Sequence, residues 1–284
     1  MKIKFQRFIS TIRWSKFLFI AILSFGLFAL RNTAWAEGEH THAAHDLAKQ
    51  SQNPVSSLLS LSFENNATFN NGPDDDFIDI LNIKSVIPMS FSKNWNLINR
   101  AIVPAIYSNQ TDPGDSANFG LGDIVYQGFF SPAKPGKFIW GLGAQLNIPT
   151  GTERFTSDQW SLGPAAVGLM MPGPWVVGLL VSNVWSIYGG NDAPHVNVLT
   201  AQYFINYNMK GGWYLTTEPV ITANWANQEI HTWTIPYGGG IGRVFKIGKQ
   251  AVNMKGAAYK NEERPDNASD WNLQFTLMFL YPEK

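Results

Sequence analysis

From Pro54 onward the sequence falls into segments of about 10–14 residues with almost no helical periodicity, each ended by a cluster of Gly, Pro, Asn or Asp. No other feature restricts the fold so tightly. Twelve strands are predicted: 55–64, 77–91, 95–108, 119–131, 137–149, 159–171, 175–188, 196–208, 213–226, 232–246, 250–260 and 270–281. Several alternate cleanly. In 137–149, Phe138, Trp140, Leu142, Ala144, Leu146 and Ile148 share one face, and Lys137, Gly141, Gly143, Gln145 and Asn147 the other. In 270–281, Trp271, Leu273, Phe275, Leu277, Phe279 and Tyr281 oppose Asn272, Gln274 and Thr276. In 213–226, Trp213, Leu215, Ile221 and Trp225 oppose Tyr214, Thr216, Glu218, Thr222 and Asn224. Segments 159–171 and 232–246, rich in Gly and Pro, alternate poorly.

Alternation alone suits a soluble sandwich as well as a membrane barrel. Three features favour the barrel. The strands are long enough to cross a bilayer at a tilt, for which about 9–11 residues suffice. Their apolar faces begin or end in Trp and Tyr, at Trp95, Tyr107, Trp175, Trp185, Trp213, Trp225, Trp271 and Tyr281, and such rings prefer the two headgroup boundaries. Short turns (92–94, 132–136, 172–174, 209–212, 247–249) also alternate with mostly longer links near 65–76, 109–118, 150–158, 189–195, 227–231 and 261–269. Outer-membrane barrels sort their loops this way, and an even strand number returns both ends to the periplasm. The expected fold is all-β: a single transmembrane antiparallel barrel of about 12 strands over 55–284, preceded by a leader at 37–54 and a cleavable signal peptide at 1–36.

The amino terminus supplies the address. Residues 1–36 hold Lys2, Lys4, Arg7, Arg13, Lys16 and Arg31 and no acidic residue. A mostly apolar run from Phe17 to Leu30 follows the basic stretch, and Ala34-Trp35-Ala36 offers small residues at the −3 and −1 positions of a cleavage site. As a helix that run would span about 21 Å, short of the ~30 Å hydrocarbon core, so export to the bacterial outer membrane is expected rather than anchoring. Without this segment, 15 basic residues face all 21 acidic ones, which excludes a nucleic-acid partner. The absence of cysteine excludes disulfides, thiol nucleophiles and cysteine-ligated zinc.

A set of short motifs follows in order: Asn53-Pro-Val-Ser-Ser-Leu58, Val86-Ile-Pro88, Trp95-Asn-Leu-Ile-Asn-Arg100, Gly120-Leu-Gly-Asp123, Ile148-Pro-Thr-Gly151, Trp160-Ser-Leu-Gly-Pro164 and Gly211-Gly-Trp213. In order and spacing, from about Leu47 to the C-terminus, they resemble the bacterial outer-membrane barrel family named for the meta-pathway of phenol degradation, also labelled "neuromedin U". The resemblance implies a porin-like, transporter-like barrel for small solutes, aromatic or otherwise hydrophobic. It departs at one point: such barrels typically end on an aromatic residue, whereas Tyr281 is followed by Pro-Glu-Lys.

Twelve strands about 4.8 Å apart and tilted about 40° enclose a backbone diameter of about 24 Å, leaving a bore of roughly 10 Å or less. Alternation turns Lys84, Arg100, Asp123, Glu218 and Lys255 inward at mid-membrane height, where a lipid-facing cation would cost about 2–4 kcal/mol. These charges read either as a selectivity ring for a polar or anionic solute or as an ion-pair network that stiffens the barrel. Thr41–Gln52 is expected to form a short helix stopped by Asn53-Pro54, acting as a plug or trailing as a leader.

Other chemistry finds weaker support. His40, His42 and His45 are close enough in sequence to chelate a metal, but a polar tail accounts for them better, and no cofactor is expected. Asp74, Asp75, Asp76 and Asp79 lack the alternating spacing of a calcium-binding hand loop. Ser182 and Ser186 near His195, with Thr232 and Thr234 near His231, form no nucleophile elbow, so a surface hydrolase is a distant alternative and the chain is read as no enzyme. The Gly238–Arg243 run lies inside a strand and lacks the helix a phosphate cradle needs. No Walker lysine and no large plug domain accompany the barrel, so transport should be passive. The remaining alternative is a closed structural barrel that binds through its outer loops. The expected partners are the lipid bilayer, lipopolysaccharide, the barrel-assembly machinery and a small-molecule solute.

Overall fold

A computed structural model describes residues 40–71, 75–109, 119–190, 193–226, 232–266 and 268–282, with side chains from Ala44 onward. The expected signal peptide lies outside the described residues. One compact unit runs from Ala44 to Lys284. Its elements are helix α1 (His40–Ser51, entering the unit at Ala44) and strands β1 (Leu59–Asn71), β2 (Asp76–Ser90), β3 (Trp95–Ser108), β4 (Phe119–Leu121), β5 (Ile124–Pro132), β6 (Phe138–Ile148), β7 (Gln159–Met170), β8 (Trp175–Gly189), β9 (Asn197–Asn208), β10 (Trp213–Thr217), β11 (Val220–Asn224), β12 (Trp233–Ile247), β13 (Gln250–Glu263) and β14 (Trp271–Tyr281). All pairings are antiparallel between neighbours, and β14 closes on β1 from Leu59↔Tyr281 to Phe69↔Trp271.

Fourteen segments make twelve wall strands. β4 and β5 both pair with β3 and form one wall strand broken at Gly122-Asp123. β10 and β11 keep a single register against β9 and β12 across the break at Glu218-Pro219. The second break has a local cause, because Pro219 has no N–H to give the ladder. The twelve-stranded antiparallel barrel expected from the sequence is the fold observed.

Alternation holds even where composition hid it. β7 reads buried–exposed along its whole length, with Ser161, Ala165, Val167 and Leu169 inward and Trp160, Leu162 and Met170 outward. Rings gather at both rims. At the short-turn rim Trp95 meets Trp140 edge-on at 5.7 Å and Trp175 meets Tyr207 at 4.8 Å; at the long-loop rim Trp225 meets Trp233 at 5.3 Å. Arg243, outward at the short-turn rim, sits 5.0 Å over the Trp213 ring and donates from Nε to Gly211 O (3.2 Å). Gly211 and Gly212 take φ of 70° and 76° in the turn before β10, a conformation that favours glycine. Among the described residues, the three register shifts, at Thr68/Asn71, Trp160/Ser161 and Ile235/Pro236, all lie toward the long-loop rim.

The largest departure from expectation is the first strand. It begins at Leu59 rather than 55 and runs on to Asn71, through residues expected in an outer loop. Residues 53–58 turn instead. Asn53 accepts from Val55 N with its side chain (3.0 Å) and from Ser56 N with its carbonyl (3.2 Å), and Ser56 Oγ accepts from Leu58 N (3.4 Å).

Candidate functional site

The register brings four of the five expected charges to one level of the interior and adds a fifth that was not expected. Glu64 and Lys255 both lie opposite Thr276, across β1–β14 and β13–β14, so the three form one rung. Lys84 on β2 pairs its Nζ with Glu64 Oε1 at 2.6 Å, and Lys255 pairs with Glu218 from the break between β10 and β11. Arg100 on β3 lies opposite Val86 and Gln127, and Glu64 attracts both it and Lys255. Its Nη1 is buried without a hydrogen-bond partner. The fifth expected residue, Asp123, is elsewhere. It sits in the break between β4 and β5 and accepts from Gly151 N (3.0 Å), Ser157 N (2.8 Å) and Ser157 Oγ (2.6 Å), which pins the 150–158 loop.

Glycines on β12 make room for this cluster. Gly238, Gly240 and Gly242 share the register face of Tyr259, Ala257 and Lys255, leaving a strip of inner wall without side chains. Side chains from the flanking strands meet across it. Tyr214 Oη donates to Asn253 Oδ1 (2.8 Å), Tyr259 Oη accepts from Glu218 N (3.3 Å), and Lys255 reaches Glu218. The Tyr214 ring lies against Gly242, where an added Cβ would collide with it. The run that resembled a phosphate loop thus clears a passage for a polar network.

The leader lies against inward-facing residues of the barrel. Ala48 is fully buried with Leu58, Tyr214, Val244, Ala251 and Leu280. Val55 packs into a second cluster that includes Ile98, Phe129, Val167, Leu169, Val176 and Phe204. Gln52 and Asn208 exchange two hydrogen bonds of 3.0 Å, Asn253 Nδ2 donates to Ser51 Oγ (3.3 Å), and Lys49 Nζ donates to Gly173 O in a short turn. A cavity of about 140 Å³ is lined by residues of the 51–58 stretch together with the charged side chains.

The family match decides membership. The family described as "Putative MetA-pathway of phenol degradation" matches residues 75–248, more than half of the chain. The chain belongs to this family. Nothing in the match supports the neuromedin label. No curated protein sequence matches. Among solved structures, an outer membrane channel from Pseudomonas putida F1 aligns with a TM-score of 0.56 at 15% identity, covering 79% of this chain and 94% of that one, which shows a common fold. An outer membrane phospholipase of Salmonella typhi, a dimer with bound calcium, aligns with a TM-score of 0.43 at 12% identity over 83% and 96% of the two chains.

As a family member, the chain shows its chemistry-bearing residues mostly in structural roles. Ser182 Oγ donates to Gln145 Oε1 (2.8 Å), and Ser186 Oγ accepts from Val196 N (2.6 Å). Neither serine shows a hydrogen bond to His195, and His231 lies outside the described residues. Asp79 accepts from Asn65 Nδ2 at 2.6 Å on the outward face, and Asp74 lies outside the described residues. Among the described residues no group of three His, Asp or Glu stands close enough to hold a metal. His45 belongs to α1, while the side chains of His40 and His42 are not among those described. Sequence reasoning missed Glu64 because it ended the first strand there. Continuing the alternation Ser60, Ser62, Glu64, Asn66, Thr68 would have found it.

Proposed function

We propose that this chain is an outer-membrane barrel for the passive passage of small solutes, aromatic or otherwise hydrophobic in line with the family description, and that the leader plugs its short-turn mouth. One observation carries the reading: an apolar outer belt with rings at both rims surrounds an interior that holds five charges and a cavity. Lipid on the outside and water or solute on the inside is the arrangement that satisfies both faces. Membership of a phenol-degradation family and a shared fold with an outer membrane channel support it. Export to the outer membrane, contact with lipopolysaccharide and insertion by the barrel-assembly machinery follow from the same reading.

A second reading, a closed barrel that binds through its outer loops, is favoured by the leader's contacts and by the ion pairs that fill the waist. Planar-bilayer recording of refolded protein separates the two. Small current steps are expected from the whole chain, and larger ones after deletion of 37–58. A barrel that stays silent in both forms would be closed, and the passage would be wrong. Arg100→Ala should change conductance or solute uptake; a change confined to heat stability would make the charges scaffolding.

A further inference from the structure

We infer that the cavity between the leader and the charged waist is a binding site for a small monocarboxylate, with the Arg100 guanidinium as its cationic partner. The substrate class rests on the reading of the barrel as a passage for small solutes, although binding itself requires no conduction.

Charge counting comes first. The waist holds three cations, Lys84, Arg100 and Lys255, and two carboxylates, Glu64 and Glu218. Both carboxylates are engaged: Lys84 and Asn66 bond Glu64 Oε1, and Lys255 holds Glu218. Arg100 is left over, with Nη1 buried and unpartnered in the wall of the cavity. A guanidinium removed from water calls for a fixed anion, and among small anions the planar carboxylate matches its fork in two parallel bonds. The one uncompensated positive charge suits a monoanion and not a dianion.

The rest of the cavity fits the same ligand. Thr276 Oγ1 is buried there without a partner and can donate to a carboxylate oxygen. Val86, Ile102 and Phe204 line the cavity as well and offer an apolar surface to a short hydrocarbon body. A charge-assisted pair with an apolar flank selects a carboxylic acid over both its neutral analogue and a bare halide.

The test is isothermal titration of the detergent-solubilised full chain with butyrate, with its neutral analogue butyramide, and with chloride as competitor. Butyrate should bind at least tenfold more tightly than butyramide and resist displacement by equal chloride. Arg100→Gln should weaken butyrate at least tenfold, and Arg100→Lys, which keeps the charge but not the fork, should recover only part of the affinity. If Arg100→Gln fails to refold, Ser62→Glu serves in its place: it sets a competing carboxylate in the cavity wall and should abolish binding. Equal affinity for butyrate and butyramide, equal competition by chloride, or butyrate affinity unchanged by the substitutions would overturn the inference. Binding without current in a bilayer would sink the passage and leave the site standing; current without binding would do the reverse.

Discussion

The interior has two unlike walls. From β3 to β9 the inward residues near the short turns are Ile98, Phe129, Val167, Leu169, Val176, Leu180 and Phe204, and they close around Val55 as a protein core would. At mid-height, from β10 round to β3, the inward residues are Glu218, Lys255, Thr276, Glu64, Lys84 and Arg100, and they frame a cavity, while Tyr214, Val244, Ala251 and Leu280 nearer the short turns pack with Ala48. A barrel of this bore is filled by side chains rather than left as a pipe. The apolar wall can therefore grip Val55 by shape alone, while the charged arc holds most of its members in pairs and leaves Arg100 over at its β3 edge. Both walls seat the leader, and the spare cation stands on β3, where they meet.

Charging the apolar wall should have the largest effect. Val55→Asp would bury a carboxylate among seven or so hydrocarbon side chains with no partner, so the leader should undock instead. Protease cleavage within 44–58 and a several-fold rise in bilayer conductance are expected; an uncleaved leader would show that Val55 is not its anchor. Next comes Glu64→Gln, which leaves Lys84 without its anion. Breaking a buried pair costs about 3 kcal/mol, and less here because Lys84 is about a quarter exposed. A lower unfolding temperature on heated gel mobility would register it.

A smaller effect is expected at the glycine strip. Gly242→Ala places a methyl against the Tyr214 ring, and overpacking of this kind costs about 1–3 kcal/mol. Loss of the Tyr214–Asn253 bond should follow, read as faster exchange of the Tyr214 hydroxyl. The mildest prediction concerns Asp123. Its carboxylate accepts from Gly151 N, Ser157 N and Ser157 Oγ and so ties the 150–158 loop to the wall. Asp123→Ala should therefore speed amide exchange at Ser157 and Gly151 relative to the unchanged chain at the same pH; equal exchange would show that the loop is held elsewhere.

The two walls also explain what could be read in advance. Clean period-2 segments such as 137–149 and 270–281 have polar inner faces, and there the sequence displays both sidedness and register. Segment 159–171 looked irregular because its inward residues, Ala165, Val167 and Leu169, are as apolar as its outward ones. The Gly238–Gly242 run hid its strand for a related reason: a face meant to be empty carries no pattern. At the waist, Lys84, Arg100, Glu218 and Lys255 followed from alternation alone. Alternation placed Asp123 with them, but a loop returning from 151–157 claims it, and nothing in local spacing announces a partner about 30 residues away. The start of β1 was misplaced because Val55 and Leu58 suit a strand as well as they suit the inside of a barrel.

The seam between β1 and β14 joins residue 59 to residue 281. Every other neighbour contact in the wall can form as a local hairpin, but this ladder must wait until the last strand exists. Until then two bare strand edges stand open to any competing chain. The same late event brings Leu280 against Leu58 and Ala48. Ring closure and leader docking should therefore be one kinetic step, and a chain stalled before it would be left with its mouth unsealed.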